Sequence, residues 1–338
     1  MRILVAMSGG VDSSTVAHLL TEQGHDVIGV RFTLWNDPLA PAVTRILPTK
    51  CCNTQSIARA KTVTEKLGIP LLMLDLQEEF KREVVDPFLE GYRSGITPNP
   101  CVHCNRFFKH RYLLECADEN GCDMVATGHY ARIAREEMPD GTHRCSLLEA
   151  VDTEKDQSYF LYRLTQEQLA RTLFPLGTMH KSEVYALAQK FGVPLEKQSY
   201  RESQNICFFP EKSPKEFLMR YLKNALIPGQ IVRKDGTVVG MHKGLPLYTV
   251  GQRRIGVGGL SIPLEVVAKD TKENRLLVEE PNKTHCTSIG LRDIHWIATP
   301  PQEKSPIPFE CRVRSLSARV PGSLTYRGDR GNFVFSSP

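Results

Sequence analysis

No stretch of this sequence is apolar over the ~20 residues that a bilayer span requires, so no membrane partner is expected. The opening "MRILVAM" has no long apolar core and no small-residue cleavage site, and does not read as a secretion leader. No Arg/Ser-rich transit stretch follows it, so a cytoplasmic location is expected. Ten cysteines in 338 residues are too sparse for a disulfide scaffold. In a reducing compartment most should be small core residues. Cys116, Cys122, Cys145, Cys286 and Cys311 are read that way, and Cys51 and Cys52 stay undecided. There is no internal repeat and no low-complexity segment. The first strand–helix turn lacks both G-K-[ST] and G-x-G-x-x-G, which excludes a Walker loop and a dinucleotide fingerprint there.

What is present is a globular composition, 41% hydrophobic and 24% charged, long enough for two or three domains. Charge is uneven. Residues 1–200 hold 22 Lys+Arg against 25 Asp+Glu, whereas residues 201–338 hold 21 against 13. The second part is either a solvated basic surface or a face for a polyanion, whose phosphates call for many Lys and Arg.

The first part alternates strand and helix patterns. "ILVAM" is a short buried strand and "DSSTVAHLLTEQG" a helix stopped by Gly. "DVIGVRF", "IPLLMLDL" and "DMVATGHYARI" (123–133) follow as strands, with a helix over 53–68 between the first two. That rhythm predicts an α/β fold with a doubly wound, mostly parallel sheet. A hairpin should turn at Asp140-Gly141, and helices return at 165–173 and 180–191. Beyond residue 208, "SPKEFLMRYLKN" reads as a helix, then β-type runs broken by Gly and Pro take over. The expected domains are 1–208, a small central β-rich domain 209–268, and a C-terminal β domain 269–338.

"MSGGVDSS" (7–14) joins the first strand to the first helix. Two glycines free backbone N–H groups at a helix start, where phosphate binds readily, and Asp12, Ser13 and Ser14 cap the helix. A tight turn alone would also favour Gly and Ser, but the full S-G-G-x-D-S-S run after a strand is far more specific. It matches the PP-loop of the N-type ATP pyrophosphatases. Such enzymes turn a poor carbonyl leaving group into AMP, and then need a nucleophile.

Two stretches could supply one. "NPCVHCNRFF" holds Cys101 and Cys104, and "SQNICFF" holds Cys207. Cys104 opens a predicted helix, "NRFFKHRYLLECADENG", near Arg106 and Lys109, a setting that lowers a thiol pKa. With "ATGHYAR", "DQSYFLYRL" and "HKGLPLYTVGQRRIGVGG", these motifs run in the order and spacing of the tRNA-specific 2-thiouridylases. The chain resembles that family along nearly its whole length. The resemblance implies an adenine nucleotide α-hydrolase-like fold, a C-terminal β-barrel, ATP with Mg²⁺, and the wobble uridine of tRNA as target. It implies an ATP site at Ala6, Met7, Ser8, Gly9, Gly10, Val11, Asp12 and Ser13, with Phe32 and Gly128. It implies tRNA contacts at Asn99, Pro100, Cys101, His129, Lys155, Asp156 and Gln157. Cys104 falls on the family's nucleophile and Cys207 on its persulfide cysteine, a pair that can also close as a disulfide. Arg253 and Arg254 in "GQRRIG" are candidate contacts to the anticodon arm. A sulfur-donor protein is an implied partner, and a monomer is expected.

The chain also departs from the family. Many relatives carry Asp where this chain has Cys101, and Asp is common where it has Asn205. The stretch "SLSAR" replaces an arginine-tyrosine-arginine run, and the sequence ends where relatives add further strands. Zinc would need four ligands, and there is no second C-x-x-C. Two mechanisms therefore stand: a persulfide passed between Cys207 and Cys104, with Cys101 as orienter, or a [4Fe–4S] cluster held by Cys101, Cys104 and Cys207. Outside PP-loop sulfur chemistry, an amidotransferase lacks its glutaminase signature here. A tRNA-binding protein with a vestigial ATP site is the alternative from another class.

Overall fold

The computed structural model describes residues 1–41, 54–138, 141, 143–194, 206–258, 263–281, 284, 286–303 and 305–336. The first unit runs β1 (Arg2–Ala6), α1 (Val11–Glu22), β2 (Asp26–Thr33), α2 (Thr54–Leu67) and β3 (Leu71–Asp75). Next come α3 (Gln77–Phe80), α4 (Asp86–Arg93), α5 (Pro100–His103) and α6 (His110–Glu119). Widened π-turns at Lys81–Val85 and Cys104–Lys109 join α3 to α4 and α5 to α6. Then follow β4 (Met124–Ala126), the hairpin β5 (Arg132–Glu137) and β6 (His143–Leu148), α7 (Gln166–Ala170), β7 (Thr172–Leu173) and α8 (Lys181–Lys190). No helix of the described residues is long and apolar enough to cross a membrane.

Strands β1, β2, β3, β4 and β7 form one wholly parallel sheet in the order β3-β2-β1-β4-β7. Ile3, Leu4 and Val5 of β1 are fully buried, as expected of a central parallel strand covered on both faces. The chain winds outward from β1 in one direction through β2 and β3, and in the other through β4 and β7. The crevice at the carboxyl ends of β1 and β4 is thus the topological switch point, where such sheets bind ligands.

The run 123–133, expected as one strand, is two. β4 ends at Ala126, and β5 begins at Arg132 in the separate two-stranded sheet with β6. The segment between them leaves the sheet because Gly128 packs onto the start of α1. A Cβ there would lie 3.0 Å from the Asp12 Cβ and 3.1 Å from the Ser13 nitrogen. The hairpin forms as expected, although Asp140 of its turn lies outside the described residues.

The second unit begins with α9 (Lys215–Tyr221) and strands β8 (Gly229–Arg233), β9 (Val238–His242), β10 (Glu265–Asp270) and β11 (Arg275–Glu279). These make a four-stranded sheet, β10-β11-β8-β9, over a core that includes Ile231, Leu264, Val266, Leu276 and Val278. The boundary expected near 268–270 would cut through this sheet, since β10 pairs with β11 and β11 with β8. The sheet ends at Glu279. Beyond it, β12 (Ser288–Leu291), β13 (Ile307–Cys311), β14 (Val320–Arg327) and β15 (Arg330–Phe335) form an antiparallel sheet, β12-β15-β14-β13. Among the described residues it is an open four-stranded sheet, not a closed barrel. Cys286, expected in a core, is exposed, because it precedes the edge strand β12 and nothing packs over it.

A polar clasp ties the first unit to the second. Asp37, just past β2, has a fully buried carboxylate. It accepts hydrogen bonds from Nε and Nη2 of Arg220, from Tyr221 Oη at 2.6 Å and from the Leu39 amide at 2.9 Å. The Asp37 amide donates to the Phe208 carbonyl at 3.2 Å, and Arg220 also holds Glu211 at 2.6 Å. Removing one partner strands the others in low dielectric, which costs about 3–5 kcal/mol. Asp37→Ala is expected to lower stability by that amount in urea unfolding, whereas an exposed pair such as Lys81–Asp86 should give under ~1 kcal/mol.

Candidate functional site

The loop after β1 is held from behind by two arginines. Arg31, only 3% exposed, donates to the Met7 carbonyl at 3.2 Å and to Ser56 Oγ at 2.8 Å. Arg59 Nε donates to the Gly9 carbonyl at 2.8 Å. Gly9 has φ +75°, and a Cβ on it would meet the Ser56 carbonyl oxygen at 2.0 Å, so only glycine fits. With its carbonyls turned back onto arginines, the loop is free to present N–H groups forward. Ser8 Oγ lies 3.1 Å from Ser13 Oγ and accepts from the Gly10 amide at 3.3 Å. Arg31 had a sequence signal: it is the one cation in the strand "DVIGVRF", set among apolar residues.

Asp12 is not solitary. Lys181, 8% exposed at the start of α8, donates to both its oxygens at 2.6 and 2.9 Å, and Tyr130 Oη donates at 3.0 Å. The Lys181 amide is anchored on Asp152 at 2.8 Å, and its ammonium lies 5.0 Å from the Tyr185 ring centroid. Reading the sequence for helices alone missed Lys181, because a lysine at a helix start looks like an ordinary solvated residue. The lysine puts a buried cation against the one carboxylate of the phosphate loop.

The loop after β4 continues the site. Thr127 Oγ1 is 2.8 Å from His129 Nδ1. The His129 ring stacks on His110 at 6.3 Å between centroids. His110 is fully buried, its Nδ1 2.8 Å from the Asn105 carbonyl oxygen, with no partner at Nε2. Asn105 Nδ2 donates to the Phe160 carbonyl at 3.0 Å. Burial first, with Lys109 adding to it, pushes the His110 imidazole down to about 4, and burial, Lys109 and His110 hold His129 well below its ordinary value. Both imidazoles are therefore neutral at pH 7.

The helix carrying the first cysteine pair starts earlier than expected. Asn99 caps it, accepting from the amides of Cys101 and Val102 at 3.2 and 3.4 Å, and Pro100 takes its first position. Cys104 therefore sits one turn inside, opening the π-turn, and is 5% exposed. The expected thiolate is overturned: burial raises the Cys104 thiol to about 11, against a smaller downward pull from Lys109. Cys101 is exposed at the residue level, and the surrounding protein still desolvates its thiol enough to raise it, again with Lys109 opposing.

Cys207, half-buried, packs on the same apolar cluster as Cys104, among Phe80, Phe88, Phe108, Phe208 and Phe217. The fold thus brings two cysteines 103 residues apart in sequence onto one apolar cluster. None of the eight described cysteines is joined to another of them by a disulfide; Cys51, Cys52 and Asn205 lie outside the described residues. Among the described residues, no group of three or more His, Cys, Asp or Glu could hold a metal ion.

The remaining candidates divide. Phe32 bridges the sheet core and the cysteine cluster. Gly128 is fixed by its packing on Asp12. Asp156 turns inward, accepting from the Ala150 amide at 2.9 Å and from Ser158 Oγ at 2.7 Å. Gln157 exchanges hydrogen bonds with the Tyr130 backbone at 2.8 and 3.1 Å. Lys155 is half-buried beside them. Arg253 and Arg254 are exposed on the second unit, far along the chain from the loop, with Arg253 2.8 Å from Glu265.

Comparison with known proteins gives two domain families. Residues 1–211 match the tRNA methyl transferase HUP domain and residues 215–280 the tRNA methyl transferase PRC-barrel domain. A tRNA-specific 2-thiouridylase of Symbiobacterium thermophilum is 43% identical over 93% of this chain and 78% of its own length. One of Chloroflexus aggregans is 44% identical over 97% of this chain and 88% of its own length. One of Geobacter metallireducens is 42% identical over 100% of this chain and 90% of its own length. The domain families and the relatives name different transferred groups and the same nucleic acid.

The buried imidazole gives a pH test. With its folded value near 4 below the ordinary 6.5, the stability linked to neutral His110 is present above pH 6.5 and is lost as pH falls toward 4. The full span is roughly 3 kcal/mol. His110→Phe should flatten the fall in urea midpoint between pH 6.5 and 4.5, leaving the part due to His129.

Proposed function

The chain belongs to the tRNA-specific 2-thiouridylase family, and from that membership we infer that it replaces the C2 oxygen of a tRNA uridine with sulfur, driven by ATP. The uridine C2 oxygen attacks the α-phosphorus of ATP, and pyrophosphate leaves. The adenylated oxygen is now a good leaving group. The terminal sulfur of a persulfide on Cys207 attacks C2, and AMP departs. Cys104 then attacks the Cys207 sulfur and breaks the S–S bond. The base leaves as 2-thiouridine, and Cys104 and Cys207 are left as a disulfide. The target proposed is the wobble position, reached through the anticodon arm, with a donor protein loading Cys207 and the enzyme working as a monomer.

The observation that carries this reading is an unbroken path of contacts. It runs from Asp12 through Gly128 and His129 to His110, Asn105 and the adjoining Cys104. A thiol and a phosphate-binding loop on one path suit a reaction that activates a base and then supplies sulfur to it. Helix-start amides over Gly9 to Ser13 suit phosphate oxygens. Lys181 can pass from Asp12 to the departing pyrophosphate. Magnesium on ATP needs only one or two carboxylates besides phosphate oxygens; Asp12 fits that role, where the ion would offset phosphate charge. Neutral His129 suits the uracil edge, since it can donate or accept a hydrogen bond without adding charge. A Cys104 thiol near 11 stays protonated and inert until the persulfide bond has to be broken.

Three measurements test this. Asp12→Ala should cut tRNA-dependent AMP release by at least ~100-fold with the fold intact by circular dichroism; turnover at the parent rate would remove the loop from the reaction. Cys104→Ser and Cys207→Ser should still release pyrophosphate but form no 2-thiouridine. tRNA affinity should fall steeply with salt, and replacing both Arg253 and Arg254 by Ala should reduce the log–log slope by about two.

A further inference from the structure

Each turnover proposed above ends with Cys104 and Cys207 oxidised, and Cys104 is only 5% exposed. A disulfide closed against the aromatic cluster turns only its half-buried Cys207 sulfur toward solvent, the sulfur the donor must reload, and a second route outward through Cys104 would leave Cys207 free for loading. Cys101 is exposed and precedes Cys104 by three residues on a continuous helical run from Pro100. Residues three apart on a helix are neighbours, with Cβ atoms ~5–6 Å apart, and a disulfide asks for Cβ atoms ~3.5–4.5 Å apart. A small closure of the first helical turn is enough, and that turn has the freedom of a helix end. Cys101 lies close enough to act on the Cys104 thiol, and the Lys109 ammonium acts on both.

We propose that Cys101 is the resolving thiol of the sulfur-transfer cycle. Its thiolate attacks Cys104 in the Cys104–Cys207 disulfide; the Cys101–Cys104 bond forms, the Cys104–Cys207 bond breaks, and Cys207 leaves as a thiolate ready to be reloaded. The exchange moves one disulfide and consumes no electrons. An external dithiol, small or protein-borne, then attacks the exposed Cys101 sulfur and supplies the two electrons that reduce the pair. The C-x-x-C frame carries the oxidising equivalent from the buried cluster to the surface. This inference rests on the reaction proposed above, and it gives Cys101 a role different from an orienting carboxylate.

The experiment compares the parent protein with Cys101→Ser and Cys101→Asp, using tRNA, ATP and persulfide-loaded enzyme. For each protein the rate of the first equivalent of 2-thiouridine is the reference against which its later turnovers are read. With limiting reductant, later turnovers should slow at least tenfold, and excess dithiothreitol should restore them. After alkylation and peptide mass spectrometry, the variants should show the Cys104–Cys207 link and the parent the Cys101–Cys104 link. Parent-like turnover of Cys101→Ser at limiting reductant would overturn the proposal, and so would rescue by Cys101→Asp alone, which would mark an orienting role. A second measurement is independent of the thiolation reaction. Stoichiometric diamide oxidation of the resting parent should give the Cys101–Cys104 disulfide, and any other linkage overturns the assignment. If the parent makes no 2-thiouridine at all, the proposed reaction fails, and the diamide result still decides whether the pair is a dithiol couple.

Discussion

The site depends on how closely the loop after β4 approaches the first turn of α1. Gly128 leaves room for Asp12 and the Ser13 amide where any side chain would collide. That approach lets His129 follow directly, and lets Tyr130 reach Asp12 with its hydroxyl. The sheet makes it possible, because β1 and β4 are neighbours on which the winding direction changes. Two loops from opposite halves of the unit then open into one crevice. Lys181 closes the third side, so the carboxylate at the phosphate loop is met by a cation, a phenol and a glycine backbone. None of the three is near it in sequence.

The cysteines are organised by a different force. Cys104 and Cys207 lie against one aromatic cluster, and ring pairs such as Phe80–Phe108 and Phe88–Phe208 stand edge to face at 5.1 and 5.2 Å. Such packing fixes relative positions tightly, since dense interiors tolerate little displacement. It also sets the chemistry: the apolar surroundings that hold the Cys104 sulfur in register keep it protonated. The Asp37–Arg220 clasp adds a polar constraint to the apolar one, holding the Phe208 carbonyl and Glu211 on the chain just after Cys207. The second unit thus reaches the site through α9.

Much of this was legible beforehand. The S-G-G-x-D-S-S run marks a phosphate loop because its glycines and hydroxyls sit where a strand meets a helix, which is local information. The β-α alternation foretold the parallel sheet for the same reason. Misreadings came where a contact distant in sequence decided the matter. "DMVATGHYARI" has the apolar content of one strand, and breaks only because Gly128 is drawn onto α1. The helix expected to start at Cys104 starts at Pro100, since Asn99 supplies the cap. The bonds by which Asp156 and Gln157 hold backbone of their own unit had no signal in the local pattern.

By itself the sequence determined the element types, the phosphate loop and the presence of three cysteines in two separated motifs, because strand, helix and turn preferences act over a few residues. Only the tertiary structure decided which groups meet and in what protonation state. It set Lys181 against Asp12, 169 residues away, stacked His129 on a neutral His110, and buried the Cys104 thiol beneath phenylalanines from three parts of the chain. Meeting and burial are long-range properties. A pKa follows the solvent and charges around a group, and those are fixed only once the whole unit has packed.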